Sequence, residues 1–511
     1  MNPYTSQDIK NIYCDIVKSA KKNYSKKRYS DVIKDVDTAA GWAYSFNHIY
    51  TDPDTESLVK SVAEATIQKV EIELPNSDKC VLIDSFLLDN RGLSQQYLRA
   101  MMANNMEILV VYTNAGGSVG KDTLNEIQGY AKASILTFAK DIDFFEQTRR
   151  VVKKIVEFMP AHIFLHLTPW DVVALMACYT IKGAKIYNIN LTDHAFWMGA
   201  SFINYNLEFR PYGMTVSLEK RGLKSEQLIG LPFYPISPKN SEFMGLPEIP
   251  VSAVKVFTGG ALYKMLGKND IFFRIMDCVL SVSSDVYIMV AGFNQDKRFD
   301  EKCAAMKHGD RVIQIGVRRD IDEVFKRCDI YLGTYPMTGG LMSQYAAKHC
   351  KPIIAYHDEG DTMNMVEEFV DFYGSGFKSF SDLKEMKVYA SKLVKDAYFR
   401  ENQGKRLYDG MMNEERFRQE FSSLISLEKT SFSWEKDNID YDDFFERYLD
   451  LENNNGFMAT LAVLSKQRAA TFRKLKGYKL QMLSGMFQII NGRLSRLLWP
   501  HNIRQKLFKK V

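Results

Sequence analysis

Hydrophobic residues follow two different patterns along the chain. In residues 1–75 they recur every three or four positions, which predicts an N-terminal helical cap. From residue 76 onward, short apolar runs alternate with helix-length segments. These runs are CVLIDSFLL (80–88), ILVVYTN (108–114), 134–139, HIFLHL (162–167) and AKIYNINL (184–191). Their alternation predicts a parallel sheet with helices on both faces, which we assign to residues 76–235.

The same alternation starts again after a proline-rich stretch. Residues 231–250 contain five prolines, which is typical of an interdomain linker. Beyond it, apolar runs predict strands at 254–257, 286–293, 312–317, 330–334 and 352–356. We assign residues 251–400 to a second domain and residues 401–511 to a helical region. The predicted fold class is α/β, with two tandem Rossmann-like, doubly wound domains, a helical cap and a helical tail.

Length and composition agree with this division. A chain of 511 residues is too long for one core, because single cores stop growing near about 250–300 residues. The seven cysteines are scattered, without the spacing of a disulfide framework or a metal site. No run of 18 or more apolar residues is present. We therefore expect a cytoplasmic protein that does not cross a membrane.

Two glycine turns in the second domain are compatible with phosphate binding. The strand VKVF runs into Gly259 and Gly260, and Lys264 follows one turn later. The strand DIYLGTYP is followed by a second such turn, which contains Thr338, Gly339, Gly340 and Ser343. Adjacent glycines expose backbone N–H groups, and a helix N-terminus favours an anion. Two such turns on one sheet predict a nucleotide diphosphate at its edge, although a lone GG is as often a plain strand-to-helix turn.

The segment from about 254 to 357 also resembles a known family. Its order of strand, GG-x3-K, AGF and IGVRRDIDEVFKRCDIYLGTYPMTGG is similar to the nucleotide-sugar domain of GT-B glycosyltransferases. The similarity is strongest to bacterial surface-polysaccharide enzymes and more distant to cytosolic protein glycosyltransferases. The resemblance implies a nucleotide-sugar donor, expected to be a UDP-sugar. It also implies that residues 316–320, including Arg318, contact the base of the nucleotide. Many retaining GT-B enzymes carry a glutamate pair where residues 337–345 stand here, and this sequence has none there. The stereochemical outcome therefore stays open.

The first domain contributes a candidate catalytic pair at the end of the strand AKIYNINL. Asp193 and His194 are adjacent there, and Trp197 follows. A histidine beside a carboxylate suits a general base, and a tryptophan suits stacking on a sugar. The alternative is a buried aspartate that caps a helix, with a hydrogen-bonded histidine. The run NLTDHAFWMG also resembles a motif of the polysaccharide enzymes.

Other residues are candidates for the acceptor side and for a metal site. Arg210 is a candidate clamp for an anion, with a surface salt bridge as the alternative, and Gly92 lies in a loop that would border the acceptor. Asp141 and Asp143 form a DxD triplet, the metal-binding pattern of another glycosyltransferase fold. Because tandem doubly wound sheets favour a site built from glycine loops and lysines, we expect no metal ion.

The C-terminal tail has charge of one sign. Residues 453–511 contain no Asp or Glu and twelve Lys or Arg. Leu and other apolar residues recur at helical spacing from 480 to 498, and Trp499 follows. A basic amphipathic helix of this kind suits an anionic membrane surface, and packing on the protein's own core is the alternative. No nucleic-acid-binding motif accompanies the charge, so we expect no nucleic-acid partner.

Together these features predict a metal-independent, hexosyltransferase-like glycosyltransferase. It would transfer a sugar from a nucleotide diphosphate to a polysaccharide or lipid-linked glycan at the inner face of the cell membrane. Two alternatives remain, a protein-directed glycosyltransferase and a non-catalytic GT-B partner or scaffold.

Overall fold

The computed structural model describes residues 5–90, 93–113, 119–139, 142–238 and 242–454. Within these ranges the chain forms two parallel-sheet domains, flanked by helices at both ends. The predicted α/β class with two tandem doubly wound sheets is confirmed. The predicted membrane-binding tail, Gly92 and Asp141 lie outside the described residues.

Three helices form the N-terminal layer: α1 (Ser6–Ser25), α2 (Tyr29–Phe46) and α3 (Pro53–Thr66). The hydroxyl of Thr5 accepts from the backbone N–H of Asp8, and the Asp8 carboxylate accepts from the N–H of Thr5. This reciprocal cap fixes the start of α1. Asp52 caps α3, whose first residue is a proline. The buried faces of the three helices pack on Leu175 and Met176 of the first domain.

The first domain contains a seven-stranded parallel sheet with the order β4-β3-β2-β5-β7-β8-β9. Its strands are β2 (Asn76–Asp84), β3 (Glu107–Tyr112), β4 (Ala133–Leu136), β5 (Pro160–His166), β7 (Lys185–Ile189), β8 (Tyr205–Glu208) and β9 (Leu228–Gly230). Two short strands, β1 (Val70–Glu71) and β6 (Ile181–Lys182), pair separately. The sequence predicted five strands of the large sheet and missed β8 and β9. These two are only four and three residues long, too short to show a hydrophobic period.

Helices cover both faces of this sheet. They are α4 (Ser94–Ala103), α5 (Lys121–Gly129), α6 (Phe144–Phe158), α7 (Val172–Thr180) and α8 (Pro211–Lys220). Residues 80–84 of β2 are buried without alternation, as a strand covered on both faces requires. The chain order reverses between β2 and β5, so the loops after the central strands open at one edge of the sheet.

The second domain has five parallel strands in the order β12-β11-β10-β13-β14. They are β10 (Val254–Gly259), β11 (Val286–Ala291), β12 (Val312–Gly316), β13 (Ile330–Leu332) and β14 (Ile353–Ile354). Its helices are α9 (Ile271–Leu280), α10 (Lys297–Ala305), α11 (Ile321–Arg327), α12 (Gly340–Lys348), α13 (Glu367–Val370), α14 (Leu383–Lys395) and α15 (Ala397–Gly410). The chain order reverses between β10 and β13, the two strands that precede the glycine turns. The boundary predicted at residue 400 falls inside α15.

The last two described helices return to the first domain. They are α16 (Glu414–Leu427) and α17 (Tyr441–Asn454). Phe417 and Phe421 of α16 pack on Tyr97 of α4, with ring centroids 5.3 and 6.0 Å apart. Phe445 of α17 joins the buried cluster of the N-terminal helices. The chain therefore passes between the two domains twice.

Candidate active site between the domains

A cavity of about 750 Å³ lies between the two domains. Loops after β7 and β8 line it from the first domain, and loops after β10 and β13 line it from the second. Helices α2 and α17 also contribute to its wall, as do α10, α13 and the segment after β14. The lining residues with polar side chains include Tyr44, Asp193, His194, Arg210, Lys264 and Tyr448. The cavity therefore collects the carboxyl ends of strands from both sheets, where doubly wound folds bind ligands.

The predicted pair Asp193 and His194 lies in the cavity wall. Nδ1 of His194 is 3.0 Å from Oδ1 of Asp193, and 29% of the histidine side chain is exposed. When Nδ1 donates its proton to the carboxylate, Nε2 is left as a proton acceptor. Among the described residues, Nε2 has no hydrogen-bond partner. The pair can therefore act as an oriented general base.

Arg210 holds the carboxylate of Asp193 in place and is only 2% exposed, so its ion pair is buried and the alternative of a surface salt bridge is wrong. Nε of Arg210 donates to Oδ2 of Asp193, and Nη1 donates to the carbonyl of Met363 at 2.8 Å. Burial alone would raise the pKa of Asp193. The charge of Arg210 and the hydrogen bond of His194 outweigh burial and hold that pKa well below its usual range. Asp193 therefore stays ionised, while Arg210 is a buried link between the domains and not a surface clamp.

A second buried arginine holds the backbone of the same loop. Nη2 of Arg221 donates to the carbonyls of Asp193 and Ala195, at 2.7 and 2.8 Å. The nearby Glu208 carboxylate accepts from the Asn190 amide at 2.8 Å and from the Ser217 hydroxyl. Burial raises the pKa of Glu208 to about 7. The catalytic candidates thus stand on a loop fixed by a buried polar network.

On the second domain, Lys264 and the start of α12 face the cavity. Nζ of Lys264 donates to the carbonyl of Thr338 at 3.2 Å, and burial lowers the pKa of this lysine. Helix α12 begins at Gly340, and no side chain caps it. The first N–H groups of a helix lack intrahelical partners and favour an anion. A Cβ on Gly340 would lie 2.4 Å from Cδ1 of Phe369, so only glycine fits there.

Thr338 also lines the cavity, whereas the predicted donor residues Gly259, Gly260, Gly339 and Ser343 do not. Gly259 and Gly260 form the end of β10 and the turn after it, where a Cβ on Gly292 would meet the Gly260 carbonyl at 2.2 Å. Sequence reasoning missed Gly292. Gly339 precedes α12, and the hydroxyl of Ser343 donates back to the Gly339 carbonyl at 3.3 Å. These residues shape the two turns and do not face the cavity.

Two other predictions need correction. Trp197, predicted to stack on a sugar, is only 6% exposed and belongs to a core cluster of the first domain. The Arg221 guanidinium covers its ring at 5.2 Å. Arg318, predicted to contact the nucleotide base, instead pairs with Asp320 at 2.6 Å and donates to the Gly245 carbonyl at 2.7 Å. Both side chains are engaged within the protein.

Among the cavity-wall residues that sequence reasoning missed are Tyr44, Tyr263, Arg298 and Tyr448. The three tyrosines come from α2, from the turn after β10 and from α17. No local sequence motif predicts them, because only the fold brings these distant segments together. Arg298 stands in α10 beside its partner Asp296, 3.1 Å away.

The described ranges contain neither a candidate metal site nor a candidate membrane span. Within those ranges, no three His, Cys, Asp or Glu side chains are grouped as ligands for a metal ion. None of the helices in the described part of the chain is both long enough and apolar enough to span a bilayer.

Solved structures of other proteins share the architecture of this chain. No protein-family model and no curated protein matches the sequence. A mutant of the Thermobaculum terrenum O-GlcNAc transferase superposes with a TM-score of 0.52 at 13% identity, over 86% of this chain and 83% of that one. Anabaena HepE in complex with UDP and glucose superposes with a TM-score of 0.48 at 13% identity, over 68% of this chain and 99% of that one. A Rickettsia africae glycosyltransferase superposes with a TM-score of 0.49 at 11% identity, over 68% of this chain and 97% of that one. The first of these likenesses shows that the chain has the GT-B fold of glycosyltransferases.

Proposed function

We propose that the protein is a glycosyltransferase that moves a sugar from a nucleotide diphosphate, a UDP-sugar, to a polysaccharide or lipid-linked glycan. One observation carries the proposal. A single interdomain cavity contains an oriented Asp193–His194 pair on one side and Lys264 with the start of α12 on the other. The first set suits proton transfer, and the second suits a diphosphate.

On the donor side, the diphosphate would lie against Lys264 and the N-terminus of α12. Departure of the nucleoside diphosphate concentrates negative charge on its terminal phosphate. A lysine and free backbone N–H groups stabilise that charge without reorganising. These groups supply the role that a metal ion plays elsewhere, so the proposed reaction is metal-independent.

On the acceptor side, Nε2 of His194 would take the proton of the attacking hydroxyl. The acceptor oxygen forms a bond to the anomeric carbon, the bond from that carbon to the phosphate oxygen breaks, and the nucleoside diphosphate leaves with the electron pair. Ionised Asp193 stabilises the imidazolium that forms. The Arg210 contact keeps Asp193 in this state throughout.

A peripheral position at the inner membrane face completes the proposal. It rests on sequence alone, because residues 455–511 lie outside the described ranges. The absence of acidic residues after position 452 and the twelve basic ones favour contact with anionic lipid. A lipid-linked acceptor would be presented at the same surface.

The test begins with nucleotides. Thermal unfolding is followed with UDP, GDP, ADP, CDP, TDP and their sugar conjugates, in buffer that contains EDTA. We expect an upward shift with the uridine compounds, because a ligand of the folded state stabilises it by mass action. Lys264→Met should remove most of the shift. Lys268→Met, an exposed lysine four residues on, is the matched control and should retain it.

Turnover is then measured as nucleotide release, with glycan and peptide acceptors compared. Stabilisation by no nucleotide, with or without magnesium, would refute the donor site and favour a scaffold. Transfer to peptide alone would overturn the glycan assignment. Loss of activity in EDTA that magnesium restores would overturn metal independence.

A further inference from the structure

Three tyrosines from separate parts of the chain meet in the interdomain cavity. Tyr44 belongs to α2, Tyr263 to the turn Leu262–Lys264 after β10, and Tyr448 to α17. Neither α2 nor α17 is part of a doubly wound sheet. The cavity wall is therefore incomplete without these two helices.

The three hydroxyls are available to a ligand. Across the described residues, none of them has a hydrogen-bond partner. Burial raises the pKa of all three, and the neighbouring tyrosines raise that of Tyr448 further. Each hydroxyl thus keeps its proton at neutral pH and offers both a donor and an acceptor.

The surroundings of the cluster indicate the chemistry of its ligand. The charged groups in the cavity wall are engaged: Asp193 by Arg210, and Arg298 by Asp296. Lys264 lies on the side assigned to the diphosphate. Phe209 and Leu191 add apolar surface to the same wall. Tyrosine combines an apolar ring face with a polar tip, and a sugar ring combines an apolar C–H face with hydroxyls at its edge.

The position of the cluster relative to the base is also suitable. The ring centroid of Tyr448 is 6.4 Å from that of His194, and the two rings are inclined by 33°. A sugar held against Tyr448 would present a hydroxyl toward Nε2 of His194. Tyr263 directly precedes Lys264 in the chain, so the cluster borders the donor side as well.

We propose that Tyr44, Tyr263 and Tyr448 form the acceptor subsite and bind a neutral sugar residue through ring stacking and hydroxyl hydrogen bonds. This inference rests on the proposed function, because the bound sugar is the group that attacks the donor. An acidic sugar or an acidic peptide would need a free cation, and the described part of the wall offers none beyond the lysine assigned to the diphosphate.

The experiment uses the full-length protein with UDP present. Saturation-transfer NMR is recorded with maltose, cellobiose and N,N′-diacetylchitobiose, and with an acidic chondroitin disaccharide and a serine-rich peptide for contrast. Variants are Tyr263→Ala, Tyr263→Phe and Tyr448→Phe. Tyr263 is 45% exposed, so its removal leaves the core intact. Tyr398→Ala, on α15 with the residue 77% exposed, is the control.

We expect a neutral disaccharide to bind the wild type and Tyr398→Ala equally. Tyr263→Ala should weaken binding about tenfold, as the loss of one aromatic contact predicts, and Tyr263→Phe should weaken it less. In turnover with the same sugar, Tyr263→Ala should raise KM more than it lowers kcat. Tyr448→Phe should lose the hydroxyl contribution alone.

Three results would overturn the subsite. They are binding of only the acidic disaccharide or the peptide, neutral-sugar binding that Tyr263→Ala leaves unchanged, and binding of no neutral disaccharide at millimolar concentration. Nucleotide binding by the wild type is scored separately. If UDP binds and the sugars behave in one of these three ways, the acceptor subsite fails while the proposed function stands. If UDP itself does not bind, the proposed function fails.

Discussion

Arg210 and Asp193 form a buried ion pair at the boundary between the two domains. The same guanidinium that holds Asp193 in the first domain donates to the Met363 carbonyl in the second. Its Nη1 also lies 4.0 Å from Glu368. Orientation of the candidate base is therefore coupled to the approach of the two domains.

Arg210→Met should be strongly destabilising. Removing one partner leaves the buried carboxylate of Asp193 without its counter-charge, which typically costs about 3–5 kcal/mol. Urea unfolding measures the loss. Arg149→Met, which breaks an exposed pair with Glu146, is the control and should cost less than about 1 kcal/mol. Equal losses for the two variants would contradict the assigned role of Arg210.

His194→Gln should reduce transfer about 10²- to 10⁴-fold, the usual contribution of a general base. Nucleotide affinity should change little, since the imidazole belongs to the first domain and the proposed diphosphate site, with Lys264, belongs to the second. Initial rates and nucleotide titrations separate the two effects. His357→Gln, outside the cavity, serves as control. A variant with unimpaired turnover would show that another group takes the proton.

Glu208→Gln should alter how stability depends on pH. The folded-state pKa of Glu208 is raised to about 7 from an ordinary 4.5. Between these values the unfolded chain loses its proton and the folded one keeps it, so the wild type loses stability as pH rises through this window. The glutamine variant lacks this loss. Between pH 4.5 and 7 the free energy of unfolding of the variant should rise, relative to that of the wild type, by on the order of 3 kcal/mol. Above pH 7 this difference should stay constant.

Chemical denaturation at several pH values checks this difference. Comparing the two proteins matters, because His48 and His162 have pKa values lowered to about 4 by burial and act in the opposite direction. A wild-type-minus-variant difference that stays flat from pH 5 to 8 would mean that Glu208 is ionised in the folded protein.

The two glycine turns should respond differently to alanine. At Gly340 the added Cβ would meet Phe369 at 2.4 Å, whereas at Gly260 the nearest atom is Cδ of Lys264 at 3.4 Å. We expect Gly340→Ala to cost about 1–3 kcal/mol in unfolding free energy and to weaken nucleotide binding. Gly260→Ala should be nearly neutral for stability. Thermal unfolding with and without UDP gives both quantities, and the reverse order of costs would contradict the packing.

The basic tail provides a fifth prediction. Replacing Lys474, Lys476 and Lys479 by serine should reduce sedimentation with vesicles that contain phosphatidylserine, since each basic residue near an anionic surface contributes about 1 kcal/mol. Replacing three lysines of the second domain, Lys297, Lys302 and Lys307, is the control. Equal sedimentation of both variants and the wild type would exclude tail-directed membrane binding.

The sequence predicted most strands because buried parallel strands are continuous apolar runs, as in ILVVYTN. It missed β8 and β9, whose burial comes from their neighbours in the sheet. Asp193 and His194 were predictable because they are adjacent and follow a strand. The direction of a single side chain was not, so Trp197 was placed in the cavity although it packs in the core. The ion pair between Arg318 and Asp320, two residues further along the chain, was not predicted either.

The tyrosine cluster illustrates a further limit. Its members lie in three segments that share no pattern, and each by itself is an ordinary residue of a helix or turn. Only the return of α17 to the N-terminal helices brings them together. Sites assembled in this way leave no mark on any short window of sequence.

The double passage of the chain between the domains bears on how this chain can be recombined with others of the same fold. The second domain is topologically an insert, entered at the linker and left between α15 and α16. A chimaera that exchanges the second domain must therefore replace the insert as one piece and keep α16 and α17 with their host. Because Tyr44 and Tyr448 remain with the host, the proposed function predicts that such a hybrid takes its donor from one parent and most of its acceptor contacts from the other.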